Sequence, residues 1–370
     1  MGNILNYVKK YGAKTFEEEP INRIDEVIFS IISYIDFDGI VEDKTKEKVR
    51  LADAADLFFE KYTKKDINKN VLGIQVAIKI FSAIRNTSRY QDMLLYNYSY
   101  KRNNSQQFSA IFIDVDSEYT YISFEGTDEL VSGWKEDFEM SYKFPIASQK
   151  DAIRYLNRSV KLFSRRKYVI CGHSKGGNLA LVAAMYANPL IRRRIVKVIS
   201  HDGPGLKNRQ FMSRQYRRIK PIYNLIIPNY SVVGLLLRHD TDYQVILSNK
   251  NGIMAHNVLS WQTSDNDFVS SHLSSYSTKI DEIISSWLDK YNDEEREAFV
   301  KEVFAVFKRA NIDSLVDIKE SALPNIINII HETKYLNKET RTMIHELVLF
   351  FIDYIKRDAT SFFHSKFSNH

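Results

Sequence analysis

Lys167-Tyr168-Val169-Ile170-Cys171-Gly172-His173-Ser174-Lys175-Gly176-Gly177-Asn178-Leu179-Ala180 constrains this chain more than any other stretch: an apolar, β-prone run enters a Gly-x-Ser-x-Gly turn and leaves as a helix. A turn of this kind lifts a serine hydroxyl above the end of a sheet while strand and helix pack almost against each other, so side chains two residues either side of the serine would collide. Gly172 and Gly176 meet that demand, and Gly177 adds room for helix–strand contact. The run from Leu179 to Ala187 consists mostly of good helix formers and is apolar all round, as a helix covered on both sides would be, and Asn188-Pro189 stops it. As a bare pattern Gly-x-Ser-x-Gly is weak. A strand signal before it and a helix signal after it make it a predicted nucleophile elbow with Ser174 at its tip.

A serine nucleophile needs a base and an acid that holds the base's other nitrogen, and in α/β-hydrolases these follow the serine in the order acid, then histidine. Asp202, at the end of the strand-like run Ile195–Ser200 where Gly203-Pro204-Gly205 breaks the pattern, and His256, after the last strand-like run Tyr243–Leu247, fit that order. Among the other histidines, His173 is expected to point away from Ser174, His201 stands too early, and His239 ends an apolar run. Asp240 and Asp242 compete with Asp202 for the acid, and Asp202 has an alternative role as a helix cap. The expected oxyanion donors are the backbone N–H of Lys175, at the helix N-terminus, and that of Thr127, after the third strand. The chemistry calls for no metal and no cofactor. Its expected substrate is a small-molecule or lipid acyl ester.

Around the elbow, Leu94–Tyr100, Phe108–Val115 and Thr120–Glu125 predict a meander, and strands alternating with helices from the elbow to residue 247 predict an α/β sheet that is parallel in its middle. The expected fold class is therefore an α/β-hydrolase-like, mostly parallel sheet over residues 91–275, with a helical segment over 1–90 packing on it and a helical appendage over 276–370. Helices are predicted at Ile24–Ile35, Leu51–Tyr62, Asn208–Lys220, Glu294–Ala310 and Met343–Ile355, and the amphipathic stretch Gly133–Phe138 is suited to lie over a cleft. The appendage is read as a cover for the core, with contact to a partner or a membrane surface as the functional alternative.

Taken together, Phe124-Glu125-Gly126-Thr127-Asp128 with Trp134 and Asp137, and the elbow itself, resemble the class 3 lipase pattern of an oxyanion-loop Gly-Thr followed by Gly-x-Ser-x-Gly. Phe16-Glu17-Glu18-Glu19-Pro20, Ser33-Tyr34-Ile35-Asp36-Phe37, Asp202-Gly203-Pro204-Gly205, Ser231-Val232-Val233-Gly234 and the helical tail extend a closer resemblance, nearly end to end, to the bacterial family known as domain of unknown function 2974. That likeness implies an α/β-hydrolase fold with no settled substrate. Two positions depart from the lipase pattern. Glu125 replaces the arginine usual before Gly-Thr, and Ser231-Val232-Val233-Gly234 stands where class 3 lipases carry an Asp-x-Val-Pro bearing the triad acid. The second departure moves the acid role to Asp202, or leaves a dyad or an inactive relic. The two function classes that follow are a serine ester hydrolase and a non-catalytic binding or scaffold protein on the same fold.

Composition narrows the setting. With 370 residues, 44% hydrophobic and 26% charged, the chain has the makeup of a globular protein rather than of a disordered segment or a membrane bundle. The net charge of +6 arises partly in runs such as Arg165-Arg166-Lys167 and Arg192-Arg193-Arg194, read as solvated helix ends, and no nucleic-acid motif accompanies them. The single cysteine, Cys171, forms no intrachain disulfide, the N-terminus lacks a signal or myristoylation profile, and no run approaches the ~20 apolar residues of a membrane span. A cytoplasmic protein is the expectation.

Overall fold

The structure, a computed structural model, describes residues 1–43, 47–63, 72–103, 106–127, 131–161 and 164–309. Its frame is an eight-stranded sheet whose strands lie side by side in chain order. They are β1 (Val49–Arg50), β2 (Leu94–Asn103), β3 (Gln106–Asp114), β4 (Tyr119–Phe124), β5 (Lys167–His173), β6 (Ile195–His201), β7 (Tyr223–Pro228) and β8 (Tyr243–Ile246). The pairings from β1 to β4 are antiparallel, and the four from β4 to β8 are parallel. The mostly parallel α/β-hydrolase-like sheet is therefore as expected, meander included. Registers Phe124↔Gly172 and His173↔His201 bring the C-terminal ends of β4, β5 and β6 level with one another on a single rim.

Parallel strands are buried on both faces and need a helix layer on each. Alternation along β5 sorts its residues: Val169 and Cys171 enter one apolar cluster, Tyr168 and Ile170 the other. The first cluster is roofed by N-terminal helices α1 (Ile4–Tyr11), α2 (Arg23–Ile32), α3 (Leu51–Lys61) and α4 (Leu72–Ile84). The second lies beneath α6 (Ala147–Ser159) and α7 (Lys175–Met185), and every residue of α7 is buried. Between β4 and α6 runs α5 (Val131–Glu139). Past α7 come the short α8 (Pro189–Arg192), α9 (Asn208–Phe211) and α10 (Arg214–Ile219), then α11 (Ser275–Lys290) and α12 (Asp293–Arg309). Beyond β8 a hairpin of β9 (Thr263–Ser264) and β10 (Asp267–Phe268) returns to the N-terminus, where Gly2 bridges Thr263.

Several details differ from the sequence expectation. The stretch read as helical and loop over 1–90 also supplies β1, an edge strand on Leu94 and Leu95. The single basic helix expected over Asn208–Lys220 is two, because Ser213 caps a fresh helix start by accepting from the N–H of Tyr216. Of the tail, α12 buries Phe299, Val303 and Phe304, and the Phe304 ring meets Phe138 of α5 at 5.8 Å. The helix expected at Met343–Ile355 lies outside the described residues. Among the described residues no helix is long and apolar enough to cross a membrane.

Candidate active site

Ser174 joins β5 to α7 with φ 58° and ψ −136°, a conformation that costs a non-glycine residue on the order of 1–3 kcal/mol and persists only where the surroundings enforce it. The enforcement is visible. The Ser174 N–H donates to the His201 carbonyl at 2.9 Å, and its own carbonyl accepts from the Gly177 N–H at 2.9 Å. Helix and sheet approach so closely that a Cβ on Gly176 would lie 2.1 Å from the Phe124 carbonyl oxygen. Lys175 heads the helix, where first-turn N–H groups have no intrahelical acceptor.

Asp202 follows β6 on the same rim, also at positive φ (51°), with its N–H donated to the Ile226 carbonyl at 2.8 Å. Its carboxylate is fully buried and holds three hydrogen bonds. Oδ2 accepts from His256 Nδ1 at 2.6 Å, and Oδ1 accepts from Ser231 Oγ at 2.5 Å and from the Gly234 N–H at 3.1 Å. Ser231-Val232-Val233-Gly234, which stands where the lipase pattern carries an acid, thus cradles an acid that arrives from the neighbouring strand. Asp240 and Asp242 lie towards solvent, and Asp240 pairs with Lys220 at 3.0 Å.

His256 closes a 3-10 turn, Gly252–His256, whose place is fixed by the Trp261 indole N–H donating to the Ala255 carbonyl at 2.8 Å. A second tie comes from a residue that the sequence expectation had turned away from the site. His173 stacks its ring on that of His256, centroids 4.3 Å apart, and its Nε2 bonds the His256 carbonyl at 3.0 Å while Nδ1 meets the Tyr34 hydroxyl at 3.0 Å. Those bonds suit a neutral imidazole with its proton on Nε2, and burial, then the neighbouring His256, holds the His173 pKa well below the usual histidine value. His201 bonds Ser30 Oγ through Nδ1 at 2.9 Å, and His239 donates to the Gly234 carbonyl at 2.6 Å, behind the acid's cradle. Their ring nitrogens bond these groups and not the Asp202 carboxylate, as that of His256 does.

The loop after β4 lies directly against Ser174. A Cβ on Gly126 would come 2.6 Å from the His173 carbonyl oxygen and 2.8 Å from the Ser174 Cβ, so only glycine fits between them. Next to it, Thr127 Oγ1 donates to Asp137 Oδ2 at 2.7 Å, which fastens the loop to α5. Burial lifts the Asp137 carboxyl to about 7, against the pull of Lys175 and Thr127. Lys175, singled out in the sequence for its N–H, carries its side chain inward. The ammonium is completely buried, 3.1 Å from the Glu136 carboxylate of α5. Glu136 also accepts from the Ser148 N–H at 2.8 Å, so the pair is hydrogen-bonded beyond its own contact. Among the described residues no group of three or more His, Cys, Asp or Glu is placed to hold a metal.

Sequence reasoning missed His173, Tyr34, Ser231 and Glu136. The resemblance carried a signal for three of these, because His173, Tyr34 and Ser231 fall in the stretches that share a family's pattern, and Glu136 does not.

The solved structures similar to this chain include the M37 lipase, 16% identical with a TM-score of 0.36 over 72% of this chain and 81% of that one. Another is a triacylglycerol lipase described as having a serine protease triad at its catalytic centre, 15% identical, TM-score 0.37, over 61% and 80%. A third is a mutant form of MDLA from Penicillium cyclopium, 12% identical, TM-score 0.38, over 68% and 87%. No curated protein matches the sequence. The family comparison matches residues 84–305, from the end of α4 through the whole sheet beyond β1 and into α12, and this chain belongs to the Mbeg1-like family.

Proposed function

We propose that this chain is a serine hydrolase that cleaves an acyl ester of a small molecule or lipid, with Ser174 as nucleophile, His256 as base and Asp202 as the acid. The observation that carries the reading is the 2.6 Å contact between His256 Nδ1 and a buried Asp202 carboxylate on the rim where Ser174 is held in a strained turn. In this scheme Asp202 keeps the His256 proton on Nδ1, which leaves Nε2 to take the Ser174 Oγ proton as the oxygen attacks the ester carbonyl. The N–H groups of Lys175 and Thr127 stabilise the tetrahedral oxyanion. His256 then returns the proton to the departing alkoxide, and water, activated by the same imidazole, releases the acid from Ser174. The likeness to domain of unknown function 2974 and a cytoplasmic setting belong to the same proposal.

A fluorophosphonate probe tests it. Wild-type protein is expected to form a phosphonyl adduct at Ser174, located by peptide mass spectrometry and lost in Ser174→Ala. A folded wild type that forms no such adduct would favour the binding or scaffold alternative.

A further inference from the structure

Between residues 152 and 239 the chain carries eighteen Lys and Arg and a single acid, Asp202, which is buried. For a chain of net charge +6 this means that the remainder is net acidic and that the excess of positive charge lies in this stretch. The fold gathers much of it at one end. The segments that enter β5, β6 and β7 lie next to one another at the start of the parallel strands, and Arg194 staples two of them by donating to the carbonyls of Ser164 at 2.6 Å and Lys161 at 2.9 Å. These segments and α10 carry Arg165, Arg192, Arg193, Arg214, Arg217 and Arg218, and none of the six has an acidic partner among the described residues. Loss of water, then the charges of Arg214 and Arg192, lower the Arg218 pKa, so like charges crowd here without neutralisation.

Two aliphatic side chains stand in solvent on the same helices and their connections: Met212, 84% exposed, between α9 and α10, and Leu190, 45% exposed, on α8. A nucleic-acid backbone would use the arginines and leave these two in water. An anionic bilayer uses both, since its surface attracts Arg and its headgroup boundary accepts apolar tips. We propose that this arginine face docks the protein on an anionic lipid bilayer, with the Ser174 rim turned away from it. Ser174 lies past the far end of β5, a strand of seven residues, about 20 Å from the docking face. The proposal rests on charge placement and is independent of the catalytic reading.

Co-sedimentation of the full chain with vesicles tests it, using phosphatidylcholine alone and phosphatidylcholine mixed with phosphatidylglycerol. Binding is expected only to the mixed vesicles at about 0.1 M salt and is expected to vanish at about 1 M, where the Debye length falls to ~3 Å. Each juxtamembrane arginine is worth about fivefold in partitioning, so R193Q/R217Q/R218Q is expected to bind roughly a hundredfold more weakly. R193K/R217K/R218K is expected to keep most of the binding. Equal binding to both vesicle types, unchanged binding of the Gln variant, or capture of a DNA duplex but not of the mixed vesicles would overturn the proposal. Should the Gln variant lose its circular-dichroism spectrum, the salt series and the Lys variant decide the matter.

Discussion

At the scale of single residues, Asp202 is where sequence and lipase pattern part, and its surroundings give a sharp expectation. With Ser231 Oγ and the Gly234 N–H on Oδ1 and His256 on Oδ2, Asp202→Asn keeps the shape but presents an amide that either loses the His256 contact or favours the wrong tautomer. On an ester that the wild type turns over, kcat is expected to fall on the order of 10⁴-fold, as it does when the triad aspartate of a serine protease becomes asparagine, while Asp240→Asn and Asp242→Asn keep the wild-type rate. Asp137 gives a second expectation. Its carboxyl is raised to about 7 in the fold against about 3.9 in an unfolded chain, so the folded state holds the extra proton between those values. The stability this contributes is full below about pH 4 and is lost as pH rises through 7. Asp137→Asn keeps an oxygen to accept from Thr127 and has nothing to titrate. Thermal melts should show the wild-type Tm falling relative to that of the variant from pH 4 to 7.

At the scale of elements, α5 is tied to the loop after β4 by the Thr127–Asp137 bond and to the elbow by the Lys175–Glu136 ion pair, and α12 packs on it through Phe304. Both ties converge on the residues whose N–H groups are assigned to the oxyanion, so the placement of α5 and the geometry of the site are coupled. Glu136→Gln takes from the buried Lys175 ammonium the carboxylate that it is bonded to and is expected to cost about 3–5 kcal/mol in urea denaturation. Lys175→Met with Glu136→Leu removes both charges together and is expected to regain most of that loss. The sequence showed α5 as an amphipathic stretch fit to cover a cleft, which its local periodicity encodes. That Glu136 faces a lysine 39 residues later is not encoded locally, because the contact exists only once β4 and β5 have paired.

At the scale of the whole molecule, the N-terminal helices form the layer that a parallel sheet requires on its second face. A buried pair locks them: Arg89 meets Asp25 at 2.5 Å with both side chains fully enclosed, and Arg89 also donates to the Glu19 and Pro20 carbonyls. The sequence alone determined the strand, the Ser174 turn and α7, because glycine placement, β-prone runs and helix stops act within a few residues of one another. It determined the meander for the same reason. The rim that joins Ser174 to Asp202 followed from one rule, that neighbouring parallel strands end together. Tertiary structure alone decided which partners complete the site. His173 on His256, Ser231 on Asp202 and Glu136 on Lys175 bring together side chains separated by 83, 29 and 39 residues. Their meeting depends on strand order and loop path, which no local spacing records. The acid shows the division most clearly: a sequence reader sees an aspartate missing from the usual segment, and only the packed sheet shows that segment bonded to an aspartate on the strand beside it.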